Sequence, residues 1–339
     1  MPANLTHQYF EAERAYRSAV LPEEKILALE NMLSVMPKHK GTDHLRAELT
    51  AKIARLNELL DKTAGPGRHR GGYHIRKEGV GQVALVGFTN SGKTSLVSTL
   101  SSIPLRSGDY SFVTKEPASA MMRFENVLIQ LVDMPAIEYQ EARPWLACIL
   151  RNADLILLTI DLSRESLSVF QNTNEKLKEL KIAILNDPST ITTSSVISKK
   201  ALVVGTKSDS PGGFDQYRVL EDAVSEWLTT YAFSVLEPSN LEDVKRGIYQ
   251  KLEIIRVYTK PPGQTALLSN PTVMPIGSTV LDVASAVHKD FVSRVKYAQV
   301  WGSSKFPGQK VSREYVLCEG DIVELLILLP IKGRAELRE

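Results

Sequence analysis

The sequence predicts an α/β protein: a mostly parallel sheet, preceded by a helical region and followed by a small domain of mixed strands around one helix. Three observations predict it. Short apolar runs (VALVG, VLIQLVD, LILLTIDL, ALVVGT) recur between Gln82 and about Ile255; such runs suit strands buried on both faces of a parallel sheet. Helical patterns such as SLVSTLSS and LEDVKRGIYQKLEII separate them, which is the alternation of an α/β fold. After the proline-marked joint YTKPPG the pattern changes to a short strand, a turn, a capped helix and further strands ending in DIVELLILL.

The elements follow in order. Residues 1–64 are expected to be helical. Pro22 before EEK suits a helix start, because proline fits the first turn and carboxylates favour its dipole. PKHKG breaks the pattern, Thr42 or Asp43 can cap the next helix, and Leu45, Leu49, Ile53, Leu56 and Leu60 fall on one face. A helical hairpin packed on its neighbour is the plain reading; a docking arm is the other. Residues 65–80 form a glycine-rich linker made basic by Arg68, His69, Arg70, His74, Arg76 and Lys77. It is either a solvated linker or a phosphate-contacting strap. Residues 81–258 form the sheet domain and 259–339 the last domain. Within the former, NDPSTITTSSVISKK has no periodicity and reads as a mobile insertion before a strand.

Bulk properties narrow the functional classes. A net charge of +2 does not mark the whole chain as a nucleic-acid binder, although a local patch could. Cys148 and Cys318 stand in distant segments, with neither metal spacing nor a disulfide framework, so a reducing cytoplasm is expected. No apolar run approaches the roughly 18 residues that span a bilayer, and no secretory leader is evident, so no membrane role is expected.

The chemistry starts at GFTNSGKTS, Gly87 to Ser95. It matches G-x-x-x-x-G-K-[ST] at every fixed position, between a strand and a helix as that motif requires. The N–H groups of such a loop, through Asn90, Ser91, Gly92 and Ser95, point at phosphate oxygens, and the helix dipole adds to the attraction. Lys93 would reach the β and γ phosphates and Thr94 would ligate Mg²⁺. Asp133 ends the strand VLIQLVD, where a second carboxylate for Mg²⁺ belongs. Thr114 lies in a loop between the two, placed to sense the γ-phosphate and the metal. ALVVGTKSD sets Thr206, Lys207 and Asp209 after a strand. A carboxylate there can accept from guanine N1 and N2, a donor pair that adenine lacks. Ser234 and Val235 of FSVLEP follow near the base. These positions predict GTP or GDP with Mg²⁺ as ligands.

On these residues the chain resembles a translation-factor-class GTPase, with its five boxes in order. The Y-x-F-x-T loop of Tyr110, Phe112 and Thr114 resembles the Obg family. IIRVYTKPPG, VHKDF, KYAQVWG, GQKVSREYVL and GDIVEL are similar to the developmentally regulated GTP-binding proteins, a branch of that family. The resemblance covers about Gly71 to Leu325. It implies a P-loop NTPase G domain followed by a TGS domain with a ubiquitin-like β-grasp fold, regulatory or RNA-binding use of that domain, and ribosome association.

Three positions depart from the pattern. The third box ends in Ala136 where glycine is usual, and the fourth begins with Thr206 where asparagine is usual. Ile137 stands where many small GTPases carry a water-orienting glutamine, so slow hydrolysis is expected. Asn90 holds the loop position that ligates K⁺ in potassium-activated GTPases, which makes K⁺ a further candidate ligand. Met134, Pro135 and Ile137 read as an apolar surface for gripping a protein partner. Lys289, Arg294, Lys296, Lys305, Lys310 and Arg313, with Tyr297, Trp301 and Phe306 among them, suit RNA. The predicted function is a GTPase switch acting on ribosomes or RNA. A nucleotide-stabilised scaffold and a P-loop ATPase are the alternatives.

Overall fold

The computed structural model describes residues 7–19, 25–26, 28–29, 32–33, 36, 43–63, 75–101, 116–139, 143–186, 196–238, 240–266, 268–288 and 290–327. Helices α1 (His7–Ser18) and α2 (Asp43–Thr63) come first. Leu49 of α2 is buried against Tyr9, Leu29, Met32 and Met36, with Leu45, Ile53 and Leu56 packed alongside. The apolar face read from the spacing is therefore the packed face.

A six-stranded sheet follows, in the order β2 (Ala118–Phe124), β3 (Val127–Asp133), β1 (Gln82–Val86), β4 (Leu155–Asp161), β7 (Ala201–Thr206), β8 (Thr230–Phe233). All neighbours are parallel except β2, which pairs antiparallel with β3 from Ala118↔Asp133 to Phe124↔Val127. The strands are continuous apolar runs because both faces are covered. Ala84 and Val86 of β1, with Ile156, Leu158 and Ile160 of β4, face α4 (Arg143–Asn152), α5 (Ser166–Glu179) and α6 (Gly213–Val224). Val83, Leu85, Leu155 and Leu157 face α3 (Lys93–Leu100) and α7 (Leu241–Leu252). The segment before β1 is tied down as well: Val80 N donates to Leu128 O at 2.9 Å, and Lys77 pairs with Asp154.

Two segments differ from the sequence reading. Ile197–Lys199, inside the supposed insertion, forms strand β6, parallel to β5 (Ile182–Ile184); residues 187–195 lie outside the described part. The pattern LEDVKRGIYQKLEII is not one helix. It stops at Leu252, Glu253 turns left-handed at φ 55°, and Ile254 opens strand β9 (Ile254–Thr259).

The second sheet has the order β10 (Thr272–Pro275), β9, β13 (Ile322–Ile327), β11 (Val295–Trp301), β12 (Gln309–Val311). One face carries α8 (Val280–Val287), whose Val280, Val283 and Ala284 pack on Val257, Ala298, Val300 and Val323. Thr279 and Asp282 close a capping box at its start. This is the β-grasp arrangement of mixed strands on one helix. The sheets meet at the β2–β3 turn: Arg256 of β9 pairs with Glu125 and donates to Asn126 Oδ1 at 2.8 Å, and Asn126 donates to Tyr258 Oη at 2.8 Å.

Candidate functional site

The loop from Gly87 to Gly92 leaves β1 and enters α3 without a side-chain cap. The first N–H groups of α3 are therefore available to an anion. Gly92 stands at φ 80°, and Gly87 has no space for a Cβ, which would come within 2.3 Å of Thr159 Oγ1. Asn90 is left-handed at φ 62°, a region asparagine tolerates. Ser91 Oγ bonds Thr159 Oγ1 at 3.0 Å, and Thr159 Oγ1 donates to Val86 O at 3.0 Å, so the loop is pinned to β4.

Lys93 folds back into the loop. Its ammonium donates to Phe88 O at 2.8 Å and Gly87 O at 3.0 Å. Burial pushes its pKa down to about 8, against the opposing pull of Asp133 and Glu138. A buried cation held, among the described residues, only by neutral carbonyl and hydroxyl oxygens is poised for an anion. Thr94 Oγ1 donates to Asp133 Oδ2 at 2.6 Å. The pair joins the start of α3 to the end of β3 and presents hard oxygen atoms side by side, a donor set that fits Mg²⁺ completed by phosphate and water. Among the described residues no cluster of three or more His, Cys, Asp or Glu offers another metal site.

Beyond the loop a cavity of about 190 Å³ is lined by Gly92, Ser95, Thr206, Lys207, Asp209, Phe233, Val235 and Leu236. Asp209 is exposed at this cavity, with its carboxylate open to a ligand. Ser234 is buried and does not line it; its Oγ accepts from Leu236 N at 3.0 Å and Glu237 N at 3.3 Å and shapes the turn that does. Lys207, at φ 58°, pairs with Asp161 Oδ2 at 2.7 Å. Burial pushes the Asp161 carboxyl up, but Lys207 and Ser163 outweigh it and hold the group below its ordinary range.

The structure thus brings Gly87, Asn90 to Ser95, Asp133, Ala136, Thr206, Lys207, Asp209 and Val235 to the C-terminal ends of β1, β3, β4 and β7 and the turn after β8, where ligands bind in open α/β sheets. Thr114 lies outside the described residues. Met134 and Ile137 are 1% and 3% exposed and belong to the core; the gripping surface expected of them in one nucleotide state only is not presented here. Asp161 and Glu138 were missed. Asp161 ends the run LILLTID, a position equivalent to that of Asp133, which was the one signal available. Glu138 Oε1 accepts from Thr89 N at 3.2 Å and from Thr89 Oγ1, and nothing in its spacing signals that contact.

Comparisons with known proteins match both sheet domains. Residues 82–197 match the family described as 50S ribosome-binding GTPase, and residues 255–327 match the TGS domain. An uncharacterized GTP-binding protein of Methanocaldococcus jannaschii is 29% identical over 90% of this chain and 93% of that protein. The developmentally-regulated GTP-binding protein 2 homolog of Dictyostelium discoideum is 24% identical over 89% and 98%. Along most of its length the chain is similar to the developmentally regulated GTP-binding proteins, with a GTPase domain followed by a TGS domain. Ribosome-interacting GTPase 1 of Saccharomyces cerevisiae is similar too, at 24% over 89% of this chain and 98% of that one.

Against that family's pattern, the structure gives the two unusual boxes a physical account. Thr206 Oγ1 donates to Ser91 O at 2.7 Å, with Ile160 O 3.2 Å away, so the hydroxyl ties β7 to the phosphate loop as a threonine can. Ala136 is not among the described residues with positive φ, so its Cβ is unstrained in this state. In the TGS domain the aromatics expected to meet RNA carry ammonium groups on their rings. Lys310 lies 3.4 Å from the Tyr297 centroid and Lys260 4.2 Å from that of Trp301, while Phe306 is 62% exposed.

Proposed function

We propose that this protein is a slow GTPase whose nucleotide state controls its attachment to ribosomes. Lys93 and the N–H groups of Asn90 to Ser95 hold the β and γ phosphates. Thr94 and Asp133 would hold Mg²⁺; bound there, the metal would neutralise phosphate charge. Asp209 accepts from guanine N1 and N2, while Lys207, Val235 and Leu236 wall the base. Thr114, outside the described residues, would sense the γ-phosphate and the metal. The observation that carries the reading is the contact of Thr94 with Asp133 at 2.6 Å beside a buried Lys93. Those oxygens and that cation stand where a metal–phosphate pair would come between them.

The side chain of Ile137 is buried and cannot orient a water, which supports slow turnover. Asn90 supports K⁺ as the missing positive charge beside the phosphates. Hydrolysis is then faster in KCl than in matched NaCl, and equal rates contradict it. The match to a ribosome-binding GTPase family and the likeness to a ribosome-interacting GTPase support the ribosome as partner and the cytoplasm as the place of action; among the described residues no helix is long and apolar enough to cross a membrane. RNA contacts fall to the TGS domain with its lysine–aromatic pairs.

Base reading is tested with Asp209→Asn. The amide replaces an acceptor with a donor, so GTP affinity falls at least tenfold while XTP, which carries an oxygen at C2, gains. An unchanged preference for GTP removes Asp209 from the base site. ATP displacing GTP at equal concentration favours the ATPase alternative.

A further inference from the structure

Glu138 is the exposed carboxylate that reaches the phosphate loop from the segment after Asp133. Its Oε1 accepts both from Thr89 N, at 3.2 Å, and from Thr89 Oγ1. The segment is stapled at a second point, where Ile137 N donates to Gly87 O at 3.1 Å. Asp133 and Glu138 are the two carboxylates whose charge acts on Lys93. Asp133 has a part in the metal site; Glu138 has none. An anion held on Thr89 of the phosphate loop, close enough for its charge to act on Lys93, sets a negative charge beside the cation assigned to the phosphates.

We infer that Glu138 is a specificity-determining residue that disfavours the triphosphate against the diphosphate. The inference rests on the assignment of Gly87–Ser95 as the phosphate loop. GDP ends at the β-phosphate and leaves the Glu138–Thr89 contact in place. GTP brings one more phosphoryl group, with about one further net negative charge, against the same carboxylate. Between two like charges a few ångströms apart that repulsion, though screened by water, favours Glu138 leaving Thr89 before GTP is fully seated. Its release removes one of the two contacts that hold the 136–139 segment to the loop, on the GTP side of the cycle only.

The test is direct. Dissociation constants for GDP and a non-hydrolysable GTP analogue are measured with Mg²⁺ on the full chain, for wild type, Glu138→Ala and Glu138→Gln. Glutamine keeps an acceptor for Thr89 and removes the charge. The ratio of analogue to GDP dissociation constants should fall about tenfold in both variants, with GDP affinity held within about twofold. Those GDP values also report that each variant is folded. A ratio that stays at the wild-type value, or rises, overturns the inference while leaving the nucleotide site standing. A wild-type chain that binds neither nucleotide overturns the site itself and this inference with it.

Discussion

Lys93 shows what one residue contributes and how it can be measured. Its ammonium is 7% exposed and its pKa is pushed down to about 8 by burial. In the unfolded chain the same group titrates near 10.5. Between those values the unfolded state binds more protons, so stability rises with pH across this window. In urea melts of the nucleotide-free protein, wild type should gain roughly 2–3 kcal/mol on Lys93→Met between pH 8 and 10.5. Lys199, pushed down to about 8 by its own burial, contributes equally to both proteins and cancels. A gap that does not change with pH contradicts the account of Lys93. At this scale the site was legible wherever chemistry follows from spacing along the chain. Gly87, Lys93, Thr94, Asp133 and Asp209 fall in motifs whose order dictates their role. Asp161 and Glu138 were not legible, because each acts through a partner far away in sequence, Lys207 and Thr89.

Elements were legible for a similar reason. β1, β4 and β7 announce themselves because alternate residues enter opposite cores and all of them must be apolar. β6 hid because Ile197 and Ser198 are exposed and its pairing is with a three-residue strand. The start of β9 hid because Glu253 makes the left-handed turn at which glycine is usual. The β2–β3 hairpin carries a consequence for coupling. One end of its ladder holds Asp133, and its turn, Glu125–Asn126, grips β9 of the TGS domain through Arg256. The Arg256 side chain is 12% exposed, sits 5.2 Å from the Tyr249 ring centroid and also pairs with Glu319. Removing a largely buried cation from such a cluster loses its hydrogen bonds and its packing on Tyr249. Arg256→Ala should therefore cost about 2–3 kcal/mol in urea melts and speed hydrogen exchange in β9 more than in β4. A loss below about 0.5 kcal/mol, the size of an ordinary surface substitution, contradicts the clasp.

At the scale of the whole molecule the account joins a phosphate loop at one end of the first sheet to a TGS sheet gripped at the other end of the β2–β3 hairpin. The charge on the chain is nearly balanced, so the RNA contact proposed above rests on local groups such as Lys305 and Lys310, which lie against aromatic rings. Overall architecture was legible because each sheet domain has its own core and its own motifs. The clasp between the domains was not, since a single arginine in IIRVYT has no pattern to distinguish it. The central claim is that the nucleotide held at Gly87–Ser95 decides whether the protein sits on ribosomes. The most direct measurement is co-pelleting of the purified chain with ribosomes in potassium buffer, with a non-hydrolysable GTP analogue or with GDP. The account predicts pelleting with the analogue and little with GDP. Equal recovery in the two states, with binding of both nucleotides verified, would contradict it.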